Sequence, residues 1–279
     1  METKWRYGLM GGAILLITGL FLLPRVVVEN TPTDRNLVNA EATAAPDPEA
    51  KHPDHHLDLP AEMAERIAYW REQFGDKSLR ASAHEQALDS LTALWKPIQR
   101  WDSIATYTEQ LWLRYPSDDL LARTGNAYYE ALGVAASEQA ASTIAPKARQ
   151  YLEQAQAKEP SNLDWQVKIG MTYIPSTNPM QGIGMIREVL QENPQHRLAL
   201  LNLGLLSMRS GQFDKAVERF EQLVALAPEE AKGQFYLGMA YAEAGIKERA
   251  RTAFTAALQA PDADSLLRQA ARNYLANLP

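Results

Sequence analysis

The 279-residue chain contains no cysteine. Disulfides, thiolate metal sites and a lipidated N-terminal cysteine are therefore excluded. A basic excess is missing as well: 28 Lys and Arg stand against 34 Asp and Glu, a formal net charge of −6. Nucleic-acid binding calls for a basic face, which this balance does not supply. The chain also lacks a nucleophile–base pattern, a Gly-rich phosphate loop and a zinc motif. The GIGM stretch at 182–185 has the wrong spacing for a dinucleotide fingerprint. No catalytic residue, cofactor, metal or small-molecule substrate is assigned, and a non-enzymatic protein is expected.

What is present begins with an apolar run. Tyr7 to Leu23 spans 17 uncharged residues, with Lys4 and Arg6 before it and Arg25 shortly after. This is the short end of what crosses a bilayer, and the basic pair ahead of it favours a cytoplasmic N-terminus. No small-x-small cleavage site follows, since the next residues are Leu-Pro-Arg-Val-Val-Val. The run is read as an uncleaved anchor within residues 1–28, with a cleaved signal peptide as its rival. Gly8, Gly11, Gly12 and Gly19 offer small faces for packing against another membrane helix. Residues 29–59 are rich in Pro, Ala, Asp and Glu without helical periodicity, the composition of a flexible tether.

Beyond residue 60, amphipathic helical patterns follow one another closely, and three segments share a register. Gly170, Gly204 and Gly238 recur at a spacing of 34 residues, each preceded by Ile169, Leu203 or Leu237. Gly182, Ala216 and Ala250 form a second small-residue column, and Ile186, Phe220 and Phe254 a bulky one. Pro194 and Pro228 close their units, while Pro261 misses that column by one. Each unit reads as two amphipathic runs joined by a short turn, with small residues where the helices cross so that the bulky column can interlock. A helix–turn–helix period of 34 resembles the tetratricopeptide repeat. The resemblance covers 163–196, 197–230 and 231–264.

Two degenerate units precede these, at 85–117 and 118–162. Gly125 and Tyr128 keep the three-residue spacing of Gly238 and Tyr241, and Ala148 to Pro160 matches Ala216 to Pro228. Eleven extra residues lie between Gly125 and Ala148 relative to the regular unit, so an insertion near 134–146 is expected. Residues 265–279 read as a capping helix, which a stacked array needs over its last apolar face. The expected fold is all-α, a right-handed superhelix of repeats over 60–279 with one N-terminal transmembrane helix.

In proteins of the resembled family, first-helix positions 2, 5, 9 and 12 line a concave groove that binds partner peptides. The resemblance therefore nominates Asn126, Tyr129, Val167, Met171, Leu201, Leu205, Met208, Phe235 and Met239. Val167, Leu201 and Phe235 stand where a carboxylate-clamping groove would be polar, so an apolar, Met-rich binder of hydrophobic or helical segments is expected. Two occupants fit such a groove: a partner protein, or another element of this chain such as residues 60–74 or the insertion.

His52, His55 and His56 beside Asp54 and Asp58 offer ligand chemistry suited to zinc, copper or nickel. They fall in the tether among prolines with no evident supporting shell, and read as compositional bias. The whole chain reads as a scaffold or adaptor on the periplasmic side of a bacterial inner membrane, held by a single span. The layout is similar to membrane-anchored periplasmic repeat modules of assembly and chaperone systems. The alternatives are a stoichiometric structural subunit of a membrane complex and, behind it, a metal-dependent enzyme using the histidines.

Overall fold

The computed structural model describes residues 59–278. Among the described residues there are twelve α-helices and no strand. They are α1 (Ala61–Gly75), α2 (Ala81–Trp95), α3 (Trp101–Arg114), α4 (Asp118–Gly133), α5 (Glu138–Lys158), α6 (Leu163–Thr172) and α7 (Pro179–Glu192). The array continues with α8 (Arg197–Arg209), α9 (Phe213–Leu226), α10 (Ala231–Glu243), α11 (Lys247–Gln259) and α12 (Ser265–Asn277). Each helix packs on its chain neighbours, so the connections are short and the architecture is a linear stack of hairpins. The expected membrane span and the histidine cluster lie outside the described residues. No described helix is long and apolar enough to cross a membrane.

The small-residue columns act where α8 meets α9 and where α10 meets α11. A methyl group added at Gly204 would stand 2.5 Å from the Phe220 ring, and one at Gly238 would stand 2.8 Å from Phe254. Both phenylalanines are fully buried. The lost helix propensity, about 1 kcal/mol per glycine, is offset by burying a whole aromatic ring, worth about 1.5–3 kcal/mol. The hairpins turn on Gly211 and Gly245, whose φ of 71° and 76° is strained for any side chain. The first regular unit has Thr177 at that place, and its first helix ends earlier, at Thr172, ahead of Pro175.

The eleven-residue insertion is a helix extension: α5 starts at Glu138 behind an N-cap from the Ser137 side chain and runs 21 residues. Arg149 on this long helix closes α6. Its guanidinium donates to the Thr172 carbonyl and hydroxyl at 3.0 Å each and lies 3.6 Å from the Tyr173 ring centre. At the far end, Arg268 of α12 donates to the carbonyls of Leu258 and Ala260 at the end of α11 and of Ala263 in the connection that follows.

Two junctions carry the same polar triad. Glu109 of α3 accepts from the hydroxyl of Tyr128 on α4 at 2.6 Å and from Lys147 on α5 at 3.1 Å. Glu221 of α9 accepts from the hydroxyl of Tyr241 on α10 and from Arg249 on α11 at 3.4 Å. The positions correspond. Each glutamate lies seven residues before a closing proline, each tyrosine three after a glycine, and each base just before a column alanine.

The buried core is divided in three. One part runs from Ile67 on α1 to Ile169 on α6, and another from Leu200 on α8 to Ala271 on α12. Between them lies a small cluster of Val167, Ile186, Val189, Ala199 and Leu203.

Candidate functional site: the inner face of α4, α6, α8 and α10

The first helices of the units carry all nine nominated groove residues, and the structure separates these into two groups. Asn126, Tyr129, Met171, Leu201 and Leu205 are partly exposed. Val167, Met208, Phe235 and Met239 are buried, with exposures of 0%, 5%, 8% and 8%. Val167 belongs to the small central core. Phe235 packs against Phe254 and, edge-on, against Tyr274 of α12, both with ring centres 5.7 Å away. The capping helix thus takes up the far end of the inner face, where the sequence suggested open surface. In this conformation the four buried side chains offer a partner little or no area.

The open part is a cleft of about 480 Å³ at the starts of α6, α8 and α10, lined by Asp164, Leu198, Leu201 and Lys232 together with His196 and Glu230. Leu198, Leu201 and Lys232 recur at positions 2 and 5 of their units, so the repeat register brings them to one mouth. The rim is organised by local structure. His196 caps α8 by accepting from the Ala199 amide through Nδ1, and its Nε2 lies 3.4 Å from Asp164. Arg197 pairs with Glu230 across the mouth.

Deeper along the inner face is a polar node in which positional mapping nominated Asn126 and Tyr129 but neither Lys168 nor Asn202. Lys168 Nζ donates to Asn126 Oδ1 at 2.6 Å and sits 5.0 Å from the Trp165 ring centre and 5.8 Å from that of Tyr129. Burial lowers the pKa of this lysine, although the negative charges of Asp164 and Glu130 oppose the shift. The Tyr129 hydroxyl donates to Asn202 Oδ1 at 3.3 Å, and burial pushes its pKa up to about 12. Lys168 occupies position 6 of its unit, outside the set 2, 5, 9 and 12, which is why the sequence pattern passed over it. The inner face sets partly exposed apolar steps from Met171, Leu201 and Leu205 beside fixed amide, hydroxyl and ammonium groups. Among the described residues no group of three or more His, Asp or Glu side chains could hold a metal ion.

Comparison with known proteins agrees with the architecture. Residues 201–265, from within α8 to the start of α12, match the profile of the tetratricopeptide repeat family. The fold is similar to the crystal structure of TTC0263, a thermophilic tetratricopeptide repeat protein of Thermus thermophilus. The identity is 18%, the TM-score 0.54, and the match covers 69% of this chain and 99% of that one. A MamA crystal structure aligns at 17% identity and a TM-score of 0.41 over 59% of this chain and 91% of its own. MamA from Desulfovibrio magneticus RS-1 aligns at 17% identity and 0.40 over 58% and 92%. No relative was found among curated protein sequences.

Proposed function

We propose that this protein is a non-enzymatic adaptor that holds a partner protein or peptide in its inner groove. The carrying observation is the cleft at the starts of α6, α8 and α10, where Leu198 and Leu201 stay partly exposed between charged rims. The family's general role in protein–protein interaction supports the reading. On this reading Met171, Leu201 and Leu205 grip an apolar or helical segment, and Asn126, Tyr129 and Lys168 orient it. The apolar run at Tyr7–Leu23 tethers the adaptor to a bacterial inner membrane, with the repeat domain in the periplasm.

A crosslinking pull-down of the full chain from its own membrane identifies the partner, and Leu205→Asp tests the groove. Loss of the crosslinked partner with a melting temperature within a few degrees of the wild type is expected, because a charge there meets water in the free protein. A collapsed melting transition would instead mean that Leu205 is core, since burying an unpaired carboxylate costs several kcal/mol. For the membrane arrangement, protease added to spheroplasts is expected to degrade the domain. Protection until lysis would overturn it. Stoichiometric copurification with a membrane complex in mild detergent would favour the structural-subunit alternative, to which the glycines of the apolar run lend a packing face.

A further inference from the structure

The polar triads at the two outer junctions show what fastens one unit to the next, and the central junctions lack them. At the junction of α5 with α6 and α7, the corresponding residues are Glu153, Tyr173 and Gln181, so the base is missing. Arg149 substitutes there, stacking on Tyr173 and holding the end of α6. At the junction of α7 with α8 and α9, the corresponding residues are Arg187, Ser207 and Lys215. The acid has become a base and the tyrosine a small hydroxyl. Arg219, half-buried, donates to Ser207 and to the Leu203 carbonyl, both within its own unit. Its pKa is lowered by burial and then by the neighbouring Arg187 charge, so the position that holds an attracting acid elsewhere here repels a nearby base.

The packing is thin at the same place. The buried residues of the two large cores end on either side of it, with only the partly buried Leu190 of α7 reaching the second, and five buried side chains join α6 and α7 to α8. The polar contacts that cross it are long: His196 to Asp164 at 3.4 Å and Tyr129 to Asn202 at 3.3 Å. Both lie on the inner or rim side.

We propose that the array is hinged between α7 and α8, so that α1–α7 and α8–α12 move as two bodies and the inner face opens and closes at the joint. Glu192 ends α7 and Arg197 begins α8, and the connection between them absorbs the rotation. The Tyr129–Asn202 bond closes the inner side in the structure described here. Met171 falls on one body and Leu201 and Leu205 on the other, so movement changes the width of the groove. This last consequence rests on the groove reading; the hinge itself does not.

The absence of cysteine makes the test direct, because two introduced cysteines are the only labelling sites. Leu113, Ala157, Gln191 and Ala225 occupy the same repeat position on α3, α5, α7 and α9, three residues before a proline, and all four are exposed. Nitroxide pairs at 113/191 and at 157/225 therefore each span two unit steps, and only the second crosses the joint. Pulsed electron–electron resonance on the full chain is expected to give a distance distribution about twice as wide for 157/225 as for 113/191. Equal widths would overturn the hinge. Installing the missing triad as R187E with S207Y, opposite the native Lys215, is expected to narrow 157/225 to the width of the control pair. An unchanged width in that variant, once its helical spectrum shows it folded, would overturn the link between triad and stiffness. If the variant does not fold, the two wild-type pairs still decide the hinge. A pull-down result on Leu205→Asp bears on the groove alone, so the two readings fail separately.

Discussion

Gly238 and Gly125 stand at corresponding places in the first and fourth hairpins counted back from the C-terminal cap, yet they meet different things. A methyl at Gly238 would strike the Phe254 ring, a rigid plate already fully buried. A methyl at Gly125 would come 3.1 Å from a terminal carbon of Leu152 and 3.3 Å from its backbone nitrogen, a tight fit that asks for a shift of a few tenths of an ångström. The C-terminal units are held by repeated shape, one glycine against one ring. The N-terminal units rely on an irregular aromatic and polar core: Tyr128 stacks on Tyr151 at 5.8 Å, Trp112 meets Tyr151 edge-on, and both tyrosines donate to Glu109. Identical sockets tolerate no change in size, whereas a hub of hydrogen bonds tolerates no loss of its centre.

The contrast can be broken most sharply through size. Gly204→Leu and Gly238→Leu are expected to destabilise by about 3 kcal/mol through overpacking. Gly125→Ala should cost about 1 kcal/mol or less, as gained helix propensity works against the shift that buried Leu152 must make. Urea denaturation of the three variants measures this, and equal losses would erase the distinction between the blocks.

Next in size is the loss of the hub. Glu109→Ala leaves two half-buried tyrosine hydroxyls and Lys147 without their shared acceptor, at an expected cost of about 2–3 kcal/mol. Glu221→Ala removes a single tyrosine bond and an exposed ion pair, and should cost about 1 kcal/mol or less. Hydrogen exchange read helix by helix would place the first loss in α3–α5 and the second in α9–α11.

The smallest effect is a pH dependence confined to the N-terminal block. Burial would raise the Glu109 pKa, but hydrogen bonds from Tyr128, Tyr151 and Lys147 outweigh it and hold the carboxyl below the usual glutamate range. The same bonds, after burial itself, raise the pKa of both tyrosines. A carboxylate with a lowered folded pKa adds stability that is present above its unfolded value, about 4.5, and lost as pH falls below it. Acid titration of wild type should therefore weaken α3–α5 below about pH 4. Glu109→Gln should reduce that loss to the share of Asp102, whose carboxyl burial would raise but Arg100 holds low.

The regular units were legible in the sequence because one geometric demand recurs. The columns headed by Gly170, Gly182 and Ile186 each carry a steric requirement that the next unit repeats. The proposed groove was legible only in outline. Position numbering nominated Phe235 and Met239 as open, but it carries no information about where α12 folds back, and Tyr274 covers that end. Lys168 and Asn202 escaped notice because each sits at position 6 and gains its meaning from a partner on another helix, Asn126 or Tyr129. Glu109 was hidden for a related reason. Its register with Glu221 appears only when each is counted back from its own closing proline, because the extension of α5 breaks the 34-residue spacing between them.

The matched sockets have a bearing on how such a chain could change length. Residues 197–230 present a glycine, a ring and a closing proline in the register that 231–264 present again, apart from a one-residue shift of the last proline. A tandem copy of residues 197–230 placed after residue 230 would meet compatible neighbours on both sides. It would add one helix pair and one step of inner surface, with Arg268 still sealing the final carbonyls. No such copy could be spliced at α4–α5, where Glu109, Lys147 and Tyr151 are particular to one place. The array can therefore lengthen within its regular C-terminal units, in whole steps of 34 residues.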